Sequence, residues 1–233
     1  MKSSTKVSCL IPFYNEGERV FDVLDVVTKV QQIDKIICID DGSEDTAYRD
    51  IQKKYPDVEV LRLAQNGGKT AAIKAGLENV DTDFVLLMDA DLQNVDRREL
   101  VKAIRAVQRY PFVDMVILRR VYADWFVKFN RGDILLSGER IIRTSDLRAV
   151  LEQPVEGFQL EMAINEYMQE QSKMVRWFPW SATNTYKMEK RGPVEGFIHD
   201  FKMYAHILQY VGPVGFVKQV VTFGRRPMRL PSK

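Results

Sequence analysis

Residues 84–93 read FVLLMDADLQ, an apolar run that ends in two aspartates separated by one residue. Five consecutive apolar residues are typical of a strand that is buried on both faces, as in a parallel sheet. Ligands of open parallel sheets bind beyond the carboxyl ends of the strands. We therefore expect Asp89, Asp91 and Gln93 at such an end, where their hard oxygen atoms suit Mg2+ or Mn2+. The alternative, a solvated turn that caps a helix, is less favoured because other predicted strands also end in acids.

Strand and helix patterns alternate on both sides of this stretch. The predicted strands cover 6–11, 35–39, 58–63, 84–88, 114–118, 138–142 and 174–178. The predicted helices cover 17–30, 45–54, 69–79, 97–109, 157–169 and 195–210, and another begins at Ser145-Asp146. This order predicts an α/β fold with three layers, in which helices cover both faces of a mostly parallel sheet.

The composition narrows the class of protein. The 233 residues carry a formal charge of +2 and 45% hydrophobic residues, which is typical of a globular chain and gives no general signal for a nucleic-acid partner. Two cysteines in apolar runs do not form a disulfide framework, and no apolar run reaches the ~20 residues of a membrane-spanning helix. We expect a cytoplasmic protein, soluble or peripheral on the cytoplasmic face of a membrane.

The other strand ends carry polar residues too. Asp41, in the run Asp40-Asp41-Gly42-Ser43, is either an acceptor for a base or ribose or part of a plain turn. The run Asn66-Gly67-Gly68-Lys69-Thr70 lacks the earlier glycine of a phosphate loop, because Leu63 stands in that place. Lys69 is then a phosphate neighbour or a first-turn lysine, and we favour the first-turn lysine.

Four ordered motifs, VSCLIPFYNEGE, IDDGSEDT, NGGKTAAIKAG and MDADLQN, together resemble glycosyltransferase family 2. The resemblance is greatest to the polyprenyl-phosphate sugar synthases, such as dolichyl-phosphate mannose synthase. It covers residues 6–93 and continues more weakly through SGERIIRTSDL, GFQLEMAINEYM and KMEKRG. It implies a GT-A fold of Rossmann-like form, a nucleotide-sugar donor, and Mg2+ or Mn2+ as cofactor.

The resemblance also implies site residues. For the donor these are Pro12, Tyr14, Glu16, Ile39, Asp41, Asp89, Ala90, Arg120, Lys187, Lys190 and Arg191. Arg119 competes with Arg120, and the three late cations align only with a gap. The metal ligands would be Asp91 and Gln93, and the catalytic residues Asp89, Asp91 and Glu161. Glu161 would be the general base for a sugar hydroxyl, with a helix-surface glutamate or a partner for an arginine as the alternatives.

We therefore expect a metal-dependent, inverting hexosyltransferase that uses a UDP- or GDP-sugar and a polyprenyl phosphate. One alternative keeps the donor but takes a saccharide acceptor in cell-surface polysaccharide synthesis, and the other is a non-catalytic nucleotide-sugar-binding protein. The expected organisation is one domain over 1–192, with a donor half at 1–93 and an acceptor half at 94–192.

The last part, 193–233, is expected to be an amphipathic helix followed by a basic tail. The tail contains Lys218, Arg225, Arg226, Arg229 and Lys233 and no acids. A helix of this kind suits an anionic membrane surface. Packing on the core or on a membrane partner subunit is the alternative, and we favour it.

Overall fold

The computed structural model of the chain describes residues 5–122, 127–128, 131–155, 159–184 and 210–228. The strands are β1 (Val7–Phe13), β2 (Lys35–Asp40), β3 (Glu59–Arg62), β4 (Phe84–Leu87), β5 (Leu92–Gln93), β6 (Met115–Arg120), β7 (Arg140–Arg143), β8 (Val175–Trp180) and β9 (Thr183–Asn184). The helices are α1 (Arg19–Val27), α2 (Ala47–Lys54), α3 (Gly68–Leu77), α4 (Arg97–Arg109), α5 (Gly132–Leu135), α6 (Thr144–Leu151) and α7 (Gln159–Glu170).

Seven of the strands form the central sheet, in the order β3-β2-β1-β4-β7-β6-β8. All neighbouring pairs are parallel except those of β7, which runs antiparallel between β4 and β6. Every residue of β1 is buried, because helices cover both faces of the sheet. The predicted α/β fold with a mostly parallel sheet is therefore confirmed. The direction of β7 is a feature that hydrophobic periodicity does not encode.

Two apolar cores lie on the two faces of the sheet. The first joins β1 and β4 to α1, α2 and α4, with Leu24, Ile51 and Ile104 among its fully buried side chains. The second joins β2 and β7 to α3, α6 and α7, and Phe223 from the C-terminal part also belongs to it. Gly76 lets α3 approach the sheet, since a Cβ there would stand 2.8 Å from Cδ1 of Ile39.

A second, two-stranded sheet follows the acidic motif directly. β5 pairs antiparallel with β9, with Leu92 opposite Asn184 and Gln93 opposite Thr183. Leu92 is buried in the first core, which fixes the chain immediately after Asp91. The late part of the chain is thereby brought beside the motif.

The C-terminal part packs on the core where it is described. Residues 210–222 are helical and include Gly212-Pro213, where we had expected helical structure to have ended. Gly212 adopts a φ of +69°, and a proline near the start of a helical turn needs no N–H partner. Beyond the helix, the Met228 N–H donates to the Trp177 carbonyl at 2.7 Å.

Most of the predicted helix 195–210 lies outside the described residues. Within the described ranges, no helix is both long and apolar enough to cross a bilayer. The division of the chain into 1–192 and 193–233 stays a prediction.

Candidate active site

The loops after β1 and β2 are tied to each other by short polar side chains. The Asn15 N–H donates to Oγ of Ser43 at 2.9 Å, and the Glu44 N–H donates to Oδ1 of Asn15 at 2.9 Å. Asn15 itself adopts a left-handed φ of +52°, which asparagine tolerates better than most residues. The strand-end loops are thus held at one edge of the sheet, as the predicted site requires.

The first predicted donor residues lie on these loops and strands. Tyr14 is 42% exposed, whereas Pro12 and Ile39 are buried within β1 and β2. Glu16 forms an ion pair of 3.1 Å with Arg19 at the start of α1. Of these four residues, Tyr14 and Glu16 therefore present polar side-chain atoms at the open edge.

Asp41 holds the turn before α3. Its carboxylate accepts the N–H groups of Gly67 at 2.8 Å and Gly68 at 2.7 Å, and the residue is only 3% exposed. Gly68 takes a φ of +83°, a backbone conformation that is strained for any residue with a Cβ atom. Asp41 therefore positions the first turn of α3, and its contact with a base or ribose stays a prediction.

Lys69, the next residue, joins two of the predicted catalytic acids. Its Nζ lies 2.6 Å from Oδ1 of Asp89, just past β4, and 3.4 Å from Oε1 of Glu161 in the first turn of α7. Lys69 does lie in the first turn of α3, as we favoured, but its ammonium is paired with two acids, which the sequence did not indicate. Glu161 is only 8% exposed, which excludes the helix-surface alternative and places it in the same charged cluster as Asp89.

The charges in this cluster support one another. Burial raises the pKa of Asp89, but the ammonium of Lys69 outweighs burial and brings this pKa to about 2. Burial lowers the pKa of Lys69, yet the charges of Asp89 and Glu161 outweigh it, so the pKa of Lys69 is raised. Asp89 is consequently ionised and Lys69 protonated throughout the neutral range.

A second ion pair faces the acidic motif from β6. Nη2 of Arg120 lies 3.5 Å from Oε2 of Glu139, and the charges of Asp89 and Asp91 help to raise the pKa of Arg120 against the effect of burial. Burial raises the pKa of Glu139. Arg120 Nε and Glu139 Oε1 are buried and lack a hydrogen-bond partner in the described part of the chain.

Arg119 points away from this cluster, as alternation along a strand requires. Its Nε lies 2.5 Å from Oδ2 of Asp133, and its guanidinium stands 4.8 Å from the Trp177 ring centroid. Of the two competing arginines, Arg120 is the one whose charge acts on the acidic motif.

A buried arginine, Arg140, forms hydrogen bonds that fix the backbone next to the charged cluster. Its guanidinium donates to the carbonyls of Ser137, Leu135 and Glu161 and to Oδ1 of Asn165, over distances of 2.7–3.2 Å. Burial lowers the pKa of Arg140 to about 10. This network fixes the first turn of α7, from which Glu161 reaches Lys69.

The network extends to the C-terminal helix. Nδ2 of Asn165 donates to Oε1 of Gln219 at 3.1 Å. Gln219 lies on the C-terminal helix of residues 210–222. Asn165, which donates to it from α7, also accepts a hydrogen bond from Arg140. The C-terminal helix is therefore anchored to the helix that carries Glu161.

The donor atoms of the acidic motif fit a small divalent ion. Asp91 is half-buried and Gln93 exposed on either side of Leu92, and both offer hard oxygen atoms. No group of three or more His, Cys, Asp or Glu residues in the described part could hold a metal by itself. A magnesium-type ion is usually held by one or two carboxylates together with phosphate oxygens and water, so this short ligand set fits.

Sequence reasoning missed Glu139 and Arg140, and it undervalued Lys69. The signal for the first two was present: Glu139 and Arg140 precede the buried residues Ile141 and Ile142 in the strand pattern, where charges are costly. The predicted donor residues Lys187, Lys190 and Arg191 lie outside the described residues.

The fold and the acidic edge of the sheet define the class of protein. The chain superposes on glucosyl-3-phosphoglycerate synthase from Mycobacterium tuberculosis, crystallised with Mn2+, UDP and phosphoglyceric acid, with a TM-score of 0.70. That comparison covers 88% of this chain and 78% of the other, at 16% identity. The same enzyme crystallised with Mg2+ and UDP superposes with a TM-score of 0.68 at 17% identity, over 88% and 79% of the two chains. The fold is that of the GT-A glycosyltransferases.

Residues 8–168 match glycosyl transferase family 2, and the chain belongs to that family. The predicted family is thereby confirmed, and with it the prediction of a glycosyltransferase domain. Two similar relatives are undecaprenyl-phosphate 4-deoxy-4-formamido-L-arabinose transferases, from Proteus mirabilis at 37% identity and from Yersinia pestis at 38%. A third is an uncharacterized glycosyltransferase of Synechocystis at 31%. Each match covers 38% of this chain but only 30% of the relative's length.

Proposed function

We propose that this chain transfers a hexose from a UDP- or GDP-sugar to a polyprenyl phosphate, with inversion at the anomeric carbon and with Mg2+ or Mn2+ as cofactor. The observation that carries the proposal is the charged cluster at the carboxyl edge of the sheet. There Lys69 lies between Asp89 and Glu161, and the charge of Arg120 on β6 acts on Asp89 and Asp91.

Donor binding is assigned to this edge. Tyr14, Glu16 and Asp41 on the first two loops would contact the nucleoside, and Asp89, Ala90 and Arg120 the diphosphate. The late cations Lys187, Lys190 and Arg191 would add positive charge. Binding at this edge agrees with the general rule that ligands of open parallel sheets bind beyond the strand ends.

The metal would be held by Asp91 and Gln93 together with diphosphate oxygens. When bound, the ion supplies positive charge to a diphosphate that becomes more negative as its bond to the sugar breaks. Lys69 and Arg120 act in the same direction from fixed positions, because preorganised charges stabilise developing charge without reorganisation. Asp89 keeps Lys69 in place, since their ion pair measures 2.6 Å.

The reaction is a displacement at the anomeric carbon. An acceptor oxygen forms the new bond on one face of the sugar, and the bond to the diphosphate oxygen breaks on the other. A polyprenyl phosphate is already an anion, so this acceptor needs no strong general base. The names of the relatives from Proteus and Yersinia support a lipid-phosphate acceptor, although the match covers only part of their length.

A saccharide acceptor is the second candidate, and the position of Glu161 favours it. A sugar hydroxyl must lose its proton, and Glu161 is a buried carboxylate within the charged cluster. In that case Glu161 would accept the proton, and replacing it with glutamine would abolish transfer. With a lipid phosphate as acceptor, Glu161→Gln should retain a substantial part of the activity.

A screen of radiolabelled UDP- and GDP-sugars against polyprenyl phosphates in detergent tests the proposal. A lipid-linked product that requires Mg2+ or Mn2+ is the expected result. Transfer only to an oligosaccharide would establish the second candidate. Donor binding without transfer or hydrolysis would instead identify a non-catalytic nucleotide-sugar-binding protein.

A further inference from the structure

Helix α4 carries a stripe of cations on its exposed face. Arg98, Lys102, Arg105 and Arg109 follow one another at steps of four, three and four residues, so they share one side of the helix. All four are exposed. The helix contains one acid, Glu99, whose Oε2 accepts the N–H and hydroxyl of Ser181 at 2.8 and 2.9 Å.

Within the described part of the chain, these cations stand without counter-ions. None of the four forms an ion pair with a residue in the described part of the chain. Other cations of the chain do form ion pairs. The distance is 2.7 Å for Lys35–Glu59 and for Arg143–Asp114, and 2.8 Å for Lys173–Asp146. The stripe is therefore a local excess of positive charge in a chain whose total is only +2.

The stripe borders a groove and ends at an exposed aromatic residue. The groove, of about 440 Å³, runs between α4 and the chain after α1, where Lys29 adds another cation. Beyond Arg109, Phe112 is 59% exposed and packs edge-on against Tyr110. A stripe of exposed cations beside an exposed aromatic ring is typical of surfaces that lie on anionic bilayers.

A cleft next to Phe112 continues the same surface. It has a volume of about 420 Å³ and is lined by Tyr110, Phe112, Arg176, Arg226, Pro227 and Met228, with no acid among them. Burial and the charge of Arg226 lower the pKa of Arg176. A phosphate bound in this cleft would stabilise the two arginines, because the anion would offset their mutual repulsion.

We propose that the α4 surface, formed by the cationic stripe, Phe112 and the adjoining cleft, binds the anionic phospholipids of a membrane. The stripe would attract the headgroups, Phe112 would enter the interface, and the arginines of the cleft would hold a lipid phosphate. The α4 surface lies on the side of the first core and begins directly after β5, which carries Gln93. The proposal does not depend on the acceptor of the transfer reaction.

Vesicle sedimentation tests the proposal with the whole chain. The probes are vesicles of phosphatidylcholine alone and of phosphatidylcholine with phosphatidylglycerol, each at low and at high salt. The test variant combines Arg98→Gln, Lys102→Gln and Arg105→Gln. A matched control removes three exposed lysines elsewhere, through Lys53→Gln, Lys54→Gln and Lys74→Gln.

The wild type should sediment with anionic vesicles at low salt and not with neutral ones. The stripe variant should bind about a hundredfold more weakly, since each of its three missing cations contributes about a factor of five. The control should lose less than about a factor of ten, and Phe112→Ser should weaken binding without changing its salt dependence.

Two results with the variants would overturn the proposal. One is equal sedimentation of the stripe variant and the wild type, and the other is an equal loss in the control variant, which would reduce the effect to net charge. Absence of wild-type binding to anionic vesicles at low salt would likewise reject a bilayer and leave an acidic macromolecule as the partner. Unchanged circular dichroism of both variants keeps these outcomes interpretable.

Discussion

Lys69 and Arg140 are two cations that lie on either side of Glu161, and their surroundings differ. Lys69 faces carboxylates at 2.6 and 3.4 Å, and their charges raise its pKa. Arg140 instead donates to three carbonyls and one side-chain amide oxygen, and burial lowers its pKa to about 10. The side chain of Lys69 is 32% exposed at the open edge, whereas Arg140 is fully buried.

This difference separates two uses of a charge within one site. A cation that is held by ionised acids at an opening adds to a field that a ligand can meet. A cation that is surrounded by neutral oxygen atoms fixes the backbone around it, because each of its N–H groups satisfies a buried acceptor. We therefore expect Lys69 to affect transfer, and Arg140 to affect stability.

The largest effect on stability is expected for Arg140→Met. The change leaves three carbonyls and Oδ1 of Asn165 without their donor, which should lower the free energy of unfolding by about 3 kcal/mol. Lys69→Met should cost about 1 kcal/mol or less, since its ion pairs are partly exposed. Urea unfolding of the two variants measures both values, and equal losses would remove the distinction.

Transfer activity should show the opposite order. We expect Lys69→Met to reduce kcat/KM by about a hundredfold, because the diphosphate loses a preorganised cation and Asp89 loses its partner. Lys74→Met, an exposed position on the same helix, is the matched control and should keep full activity. If the control and the test variant lost activity equally, α3 rather than the ammonium of Lys69 would be responsible.

A substitution at Gly138 tests the position of the Lys69 ammonium without changing any charge. A Cβ at this residue would stand 2.6 Å from Nζ of Lys69 and 3.1 Å from both carboxylate oxygens of Asp89. Gly138→Ala should therefore displace the lysine and lower activity by about tenfold, with less than about 1 kcal/mol of stability lost. Gly215→Ala, where the added Cβ would be 3.5 Å from its nearest neighbour, should change neither quantity.

The smallest effect concerns acid stability. Because the pKa of Asp89 is lowered to about 2 in the folded chain, its ionisation contributes stability that is fully present above about pH 4. The shift alone corresponds to about 2.4 kcal/mol, and because the ion pair is partly exposed to solvent we expect about 1 kcal/mol of it to be lost as the pH falls from about 4 to 2. Urea midpoints across this range should fall less for Asp89→Asn than for the wild type, and parallel curves would contradict the assignment.

Much of the fold follows from local patterns. The helix predicted over 97–109 matches α4 residue by residue, because Asp96 caps it and the apolar residues of its buried face recur at helical spacing. The direction of β7 and the pairing of β5 with β9 depend on residues far apart in the sequence, which local periodicity does not encode.

The site was predictable where its residues follow strands. Asp89 and Asp91 could be placed at the carboxyl edge of the sheet because they directly follow a buried strand, and their part in binding stays a prediction. Lys69 could not, since a first-turn lysine gives the same sequence signal whether it faces solvent or an acid. Its two ion pairs depend on the packing of α3 next to β4 and α7, which brings Asp89 and Glu161 to Lys69.

Calorimetry of donor binding tests the central claim, that the acidic edge of the sheet binds a nucleotide sugar together with a divalent ion. UDP- and GDP-sugars are titrated into the wild type and into Asp91→Ala, with and without Mn2+, and circular dichroism confirms that the variant is folded. The account predicts that one donor binds the wild type in Mn2+, and that Asp91→Ala loses this metal-dependent binding. Equal donor affinity of the two proteins in Mn2+ would contradict it.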